Sequence, residues 1–587
     1  MALILGVVGF FLYSPSLKFP FVHDDIVFIV QNPQIARWDN LAEVFTAASQ
    51  SHHDTSIINS YYRPLLEVYY RLGYFLFGLN AGGFHFVNII LHIFNAILIV
   101  RFLPRIGMGQ TESFLAGLLF LIHPVQTQAV VCISGISNLL MAFFCLSALQ
   151  CGLSFKGSQS RIRRWIFFAA FLFSYVAALL SKEQAIILPL LVLTLGCFGR
   201  REIQAQAKTN KILTPILATS FIVSAVFLFW RSMIAGSQTT GILDYPHELK
   251  LRLLAVPQAL LTYLKILFWP VDLHYYRALN ILSPWAIYAI VLAALLSAVF
   301  IFIKNLPREE RRHFYLGIAW FLAALLPVLN IVPLIIEYSY ISLAEHFLYF
   351  SSVGIFIVLL TVARSLLARY FNERYELIAM SLTVFVFFWF CAVTLEQQSF
   401  WRGEIPLFQR ALQFEPQLGR VHVLLGKAYF FEKRFDEAVV ELSRAQRLFE
   451  NYYSKAGDSP AKDFYRGFLK GVCFDLANVY SAAGNFPLAL VNYQKAGELD
   501  PRDSVILNNM AGLYMQTGQW DKAAAILKQA LGRDPRNVLV INSLGVCAIQ
   551  RGERKEAEHW FTQALKQDPQ FVPARDNLKK VLTETSP

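Results

Sequence analysis

Through the first 400 positions, long apolar runs alternate with short polar breaks; beyond them the pattern turns amphipathic with a helical period. A membrane-spanning helix needs about 20 mostly apolar residues, with a range of roughly 17–25. Ten stretches meet that: 84–103, 106–124, 137–155, 164–181, 183–199, 212–232, 284–303, 314–334, 346–363 and 376–396. Residues 2–14 are a shorter eleventh. They lack a basic leader and a small-residue cleavage site before Pro15, so we read them as a retained span rather than a signal peptide. Lys and Arg test this count. Eleven spans from a cytoplasmic N-terminus make 104–111, 156–163, 200–211, 304–313 and 364–375 the inner loops. Those loops and their edges hold 17 of the 27 basic residues before position 401, the bias expected of cytoplasmic loops. The apolar stretch 251–269 is left out: counting it as a span would put Arg308, Arg311 and Arg312 outside, so it reads as an interfacial or re-entrant helix. An odd count places the C-terminal part on the non-cytoplasmic side with the loops 15–83 and 233–283.

The C-terminal part repeats. Pro501, Pro535 and Pro569 are 34 residues apart, as are Gly484, Gly518 and Gly552, and Ala489, Ala523 and Ala557. That period resembles the helix–turn–helix unit of the tetratricopeptide repeat. A further copy, with Gly426, Tyr429, Ala438 and Ala445, fits once a 17-residue insertion at 451–467 is allowed. We expect repeats at about 419–450, 470–503, 504–537 and 538–571, a capping helix over 572–587, and a half-repeat from Trp401 joining the array to the last span. The division falls at 400/401. Each helix pair needs neighbours to bury its apolar face, so the array is a solenoid with a concave surface. Such a surface suits an extended protein segment; a passive spacer has the same pattern. The fold class is therefore all-α: a polytopic membrane domain followed by an α-solenoid.

Composition sharpens this picture. Residues 1–400 carry 27 Lys+Arg and 19 Asp+Glu, against 25 and 21 in the remaining 187. The first part is too poor in charge for a soluble domain. The net charge of +12 is spread over loops and tail without a basic stripe, which argues against nucleic acid as partner. The seven cysteines show no C-x-x-C spacing and read as small buried hydrophobes.

Ionisable residues gather at the outer edges of the spans. Asp24 and Asp25 lie about ten residues beyond the first span, where a pair of like charges near a bilayer raises one pKa and suits a general base; a solvated acidic turn reads the same way. Further along come Tyr62 and Arg63, the stripe His85–Asn88–His92, His123 before Pro124, Lys182 and Glu183 in a hairpin, and Glu345, His346 and Tyr349 at a span edge. Ionisable groups at membrane depth are costly and mark function by default. Lys182, Arg63 and His346 are candidates to hold a lipid-linked phosphate. The His–Asn–His stripe reads as helix glue rather than a metal site, and no metal ligands are assigned.

Seven stretches in order, D-D, Y-R-P-L, F-H-x-V-N-x-x-L-H, H-P-x-x-T-x-A-V, S-K-E-Q, W-P-V-x-L (Trp269–Leu273) and A-E-x-x-L-Y, followed by the repeats, resemble the transmembrane and tetratricopeptide-repeat O-mannosyltransferase family and its bacterial relatives, of the GT-C glycosyltransferase class. The resemblance covers nearly the whole chain. It implies a GT-C fold and inverting transfer of a sugar, mannose or another hexose, from a polyprenyl-phosphate donor to Ser/Thr hydroxyls of proteins on the non-cytoplasmic side. Carried over, Asp24 or Asp25 is the base, Asp24 preferred by position, and Lys182 and Arg63 stabilise the phosphate leaving group. No cofactor follows from it, and a divalent metal is left open. The chain departs from the pattern at Gln128, where Glu is expected, at Ile136 and Asn138, where an arginine and an acid are missing, and at His346 in place of Arg.

Two readings stand. One is an integral-membrane O-glycosyltransferase taking a lipid-linked sugar and a protein acceptor. The other is a non-catalytic membrane-anchored repeat scaffold. A transporter is weaker, since no inverted pattern of broken helices is seen. The chain has no N-x-S/T sequon and ends in ETSP, so we expect a bacterial inner membrane with periplasmic repeats, the endoplasmic reticulum with lumenal repeats being the alternative.

Overall fold

The computed structural model describes residues 1–39, 41–46, 62–157, 160–198, 213–235, 246–280, 284–329, 331, 340–371, 375–457 and 459–583. The chain divides into two units, Met1–Glu415 and Pro416–Pro587.

The first unit is almost wholly helical. Its hydrogen bonds and packing sort helix ends into two faces. On one, Gln398 donates to the Leu12 carbonyl, His123 to Leu267, Gln184 to Ala324, and the His346 N–H to Gln128. On the other, Arg105 donates to Gln150 and Ser154, Arg364 pairs with Glu112, Phe198 lies against Tyr315, and Ile303, Leu306 and Phe314 cluster. Between them run Ala2–Tyr13, Ala81–Phe102, Gln110–Ile122, Ile136–Gly157, Arg161–Ser181, Leu188–Phe198, Leu213–Ala235, Trp285–Lys304, Arg308–Leu325, Leu348–Tyr370 and Tyr375–Ser399. The path thus passes from face to face eleven times among the described residues. Of the basic residues assigned to inner loops, Arg105, Arg311 and Arg364 make their contacts at the second face.

Among the described residues, eight helices are long and apolar enough to cross a membrane. That set and the eleven passes differ for physical reasons. Ala2–Tyr13 and Leu188–Phe198 are short, and Arg308–Leu325 opens on a charged turn. Gln110–Ile122 stops at Pro124 and bends by 51° into Pro124–Val131, because proline supplies no N–H and restricts the residue before it. Likewise the expected span 314–334 ends at Leu325, just before Pro327, and 183–199 begins as a 3-10 turn over Glu183–Ile187. Conversely, Pro246–Phe268 passes on length and apolarity yet does not run between the faces. Ala255, Ala259, Tyr263, Ile266 and Leu267 pack on Val125, Leu325, Val328, Leu343 and Leu348, residues at the ends of other helices. This continuous helix lies across the Asp25 face.

Close crossings depend on small residues. A Cβ on Gly354 would come 2.4 Å from the Gly317 carbonyl oxygen, so Arg308–Leu325 and Leu348–Tyr370 pack backbone to backbone there. Within the all-α fold one short ribbon occurs among the described residues: Arg277–Asn280 pairs antiparallel with Tyr340–Leu343. The unit ends later than 400. The helix Glu404–Phe414 belongs to it, since Glu404 accepts the His23 N–H at 3.2 Å, Arg410 donates to the Val271 carbonyl at 3.0 Å, and Glu415 accepts the Ala278 N–H at 3.2 Å. The chain therefore leaves this unit on the Asp25 face.

The second unit is a stack of paired helices from Gly419–Phe431 to Val572–Thr583. Gly484, Gly518 and Gly552 take positive φ at the turns inside three pairs, and Lys433 (φ 61°) occupies that place in the first. The core is built of small side chains at the repeat positions: Ala511, Ala523, Ala530 and Cys547 around Leu527 and Leu544. The insertion lengthens two neighbouring helices, Phe435–Lys455 and Pro460–Ala482. Their extension is zipped by Phe449 stacked on Phe468 at 5.1 Å and Tyr452 beside Tyr465 at 5.3 Å.

Candidate active site

The twin aspartates sit in a tight turn and take different roles. His23 adopts the left-handed region (φ 51°), which turns Asp24 and Asp25 to different surroundings. The Asp25 residue is fully buried. Its carboxylate accepts the backbone N–H of Ser134 at 2.8 Å and of Val22 at 3.3 Å, with the Cys132 thiol at 3.8 Å. Burial pushes its carboxyl up to about 7; the two backbone hydrogen bonds pull the other way, and the charge of Asp24 adds to the rise. The Asp24 side chain, by contrast, is 50% exposed and stands 3.4 Å from the His23 ring. That ring is wedged against Tyr275 and Phe408.

The segment that grips Asp25 is itself held from below. Asn88, fully buried, donates to the carbonyls of Val130 and Cys132, both at 3.1 Å. His92 donates from Nε2 to the Leu121 carbonyl at 3.1 Å, so its Nδ1 accepts the Tyr349 hydroxyl at 2.8 Å; Asn95 donates to the same hydroxyl. Tyr349 and the Asn–His stripe are therefore glue inside the bundle. His85 lies edge-on to Phe19. His123 donates to Leu267 and caps Val125, joining the proline bend to the transverse helix.

A second cluster adjoins the first. Four residues beyond Ser134, Asn138 at the start of Ile136–Gly157 accepts the Lys182 ammonium at 2.6 Å. Lys182 is 3% exposed and lies 5.3 Å from the Phe347 ring centre. Burial pushes its ammonium down to about 7; neighbouring Arg63 acts in the same direction and Glu183 opposes. Arg63 forks onto Glu183 at 2.8 and 2.5 Å. Tyr62 accepts from Trp230 and donates to the Phe45 carbonyl, fixing the start of the helix that follows Arg63. The charges of Lys182 and Arg63 both reach the His346 ring. So Lys182, Arg63 and Glu183 come together, with the His346 ring against the Phe347 that faces Lys182, whereas Tyr349, His85 and His123 do not join them.

Glu345 belongs to a third network. It accepts the His274 N–H at 2.6 Å, with Arg277 at 3.9 Å. A small cleft beside it is lined by Gln128, His274, Tyr275, Trp401 and Arg410. Gln128, unexpected in the sequence, accepts the His346 N–H at 3.0 Å. His274, Tyr275 and Arg277 were not among the expected site residues, although the run of polar and aromatic residues after Leu273 was their signal; Glu404 had none there. Among the described residues no three His, Cys, Asp or Glu side chains form a metal-binding group.

These features define a class: an integral-membrane protein with a polar site on one face, continuing into tetratricopeptide repeats. The tetratricopeptide repeat family model matches residues 480–537 and 518–582. Among similar curated proteins, protein O-mannosyl-transferase TMTC4 of Homo sapiens is 28% identical over 495 residues, covering 72% of this chain and 63% of its own. Protein O-mannosyl-transferase F38B6.6 of Caenorhabditis elegans is 25% identical over 446 residues, covering 72% and 59%. Protein O-mannosyl-transferase TMTC1 of Mus musculus is 36% identical over 156 residues, covering 25% and 16%. The chain spans less than two thirds of the length of these relatives. The resemblance drawn from the ordered motifs stands on them.

Proposed function

We propose that the chain transfers a hexose from a polyprenyl-phosphate donor to Ser/Thr hydroxyls of protein acceptors on the non-cytoplasmic side of a membrane. One observation carries the reading. Ser134 and Asn138, four residues apart, touch Asp25 and Lys182 respectively, so one helix start joins the acidic turn to a buried cation. An attacking hydroxyl and a departing phosphate need such a pair of neighbours.

In this reading Asp24, the accessible carboxylate, takes the proton of the acceptor hydroxyl. The hydroxyl oxygen bonds to the anomeric carbon from the side opposite the phosphate, which inverts that carbon. The bond between the anomeric carbon and the phosphate oxygen breaks, and negative charge grows on the phosphate. Lys182, with Arg63 and His346 beside it, offsets that charge where it develops. Asp25 anchors the turn. The repeat array, following a unit whose exit is at Glu415, raises the local concentration of acceptor segments. The relatives bear the name O-mannosyl-transferase, which favours mannose among hexoses. We assign the chain to the bacterial inner membrane, with the endoplasmic reticulum as the alternative.

The test is to incubate the purified protein with several polyprenyl-phosphate sugars and co-purifying proteins, then read hexose on Ser/Thr by mass spectrometry. Addition with one donor is the expected result. No addition with any donor would leave the membrane-anchored scaffold.

A further inference from the structure

The recess around Lys182 holds that buried ammonium on a neutral oxygen. Arg63 places its fork on both carboxylate oxygens of Glu183, so that anion is matched by a guanidinium. Lys182, nearly without solvent, has an amide oxygen at 2.6 Å and an aromatic face at 5.3 Å. The Phe347 ring, just before Leu348–Tyr370, covers the ammonium, and the His346 ring lies against it at 4.5 Å. Among the described residues, Glu183 is a carboxylate that feels the charges of both Arg63 and Lys182, yet the atom in contact with the ammonium is the neutral Asn138 oxygen. An amide oxygen accepts a hydrogen bond but adds no charge, and a buried cation without a counter-charge is costly.

We propose that Asn138 is a positioning residue that sets the anion affinity of this recess: it aims the Lys182 ammonium without neutralising it, leaving that charge for an incoming phosphate ester. The proposal rests on the donor-phosphate reading. A carboxylate at position 138 would keep the geometry and cancel the charge.

The test uses the full chain in lipid nanodiscs and two probes, a short-chain polyprenyl phosphate and inorganic phosphate, with Kd read by ligand-induced thermal shift. N138D is expected to bind polyprenyl phosphate at least about tenfold more weakly, the equivalent of one pKa unit of added pairing. N138S, neutral and able to accept a hydrogen bond, is expected to stay within about threefold of the native chain, well short of that one-unit effect. N138L, close in shape and neutral but unable to accept the ammonium, is expected to lose less than N138D, an order that a merely structural role would reverse. Native-like or tighter binding by N138D overturns the proposal, as does a larger loss in N138L than in N138D. If the native chain binds inorganic phosphate only, the lipid-donor reading falls, and this inference then stands or falls by whether N138D weakens that binding. Binding of neither probe by the native chain overturns both.

Discussion

Asp25→Asn separates anchoring from catalysis. The carboxyl is buried and titrates near 7, against 3.8 when free of the fold. Between those values the folded state holds a proton that the unfolded state has released, so the native chain loses stability as pH rises from about 4 to about 7. Each unit is about 1.4 kcal/mol. From pH 5 to 8 the Asp25 contribution therefore falls by about 3 kcal/mol. An asparagine is neutral throughout and carries no such loss. It keeps one acceptor, however, and leaves one of the Ser134 and Val22 N–H groups without its partner, costing about 1–3 kcal/mol at every pH. The expected pattern is a variant weaker than the native chain at pH 5 that gains about 3 kcal/mol on it by pH 8. Denaturant unfolding in detergent micelles at the two pH values measures this, and all other titrating groups cancel in the difference. An unchanged native–variant difference between pH 5 and 8 would refute the reasoning.

Asn88→Ala strips the donors from the Val130 and Cys132 carbonyls and should cost about 2–6 kcal/mol in the same unfolding assay, at two buried groups of about 1–3 kcal/mol each. Gly354→Ala forces apart two helices whose backbones touch at Gly317; a loss of about 1–3 kcal/mol is expected by thermal melting, and a neutral result would mean the crossing is looser than described. Within one repeat, two glycines should respond with opposite sign. Gly518→Ala, at φ 72°, should destabilise by about 1 kcal/mol, whereas Gly512→Ala, in open space inside Ser504–Gln516, should stabilise by about 0.5–1 kcal/mol.

Much of the fold was legible because apolar length and a 34-residue period are direct physical demands. The transverse helix was legible only through charge: the basic residues after 304 required 251–269 to stay on one side. The shortened spans were less readable, since Pro124 and Pro327 end helices inside runs that hydropathy treats as continuous. At the site, the residue types were visible but not their division of labour. Nothing in a D-D pair tells which carboxylate faces its own backbone; the left-handed turn at His23 and the N–H of Ser134, more than a hundred residues away, decide it. Asn138 and Gln128 were visible only as departures. Their partners, Lys182 and the His346 backbone, come from distant parts of the chain, and the pairing itself has no sequence signal.

The central claim, that Asp24 removes the acceptor proton, is tested most directly by comparing hexose transfer by the native chain, Asp24→Asn and Asp25→Asn with one active donor. Asp24→Asn should reduce the rate by about 10²–10⁴-fold, the usual contribution of a general base, with the fold intact. Asp25→Asn should keep transfer well above that level. A native rate in Asp24→Asn, or loss confined to Asp25→Asn in a folded protein, would contradict the account.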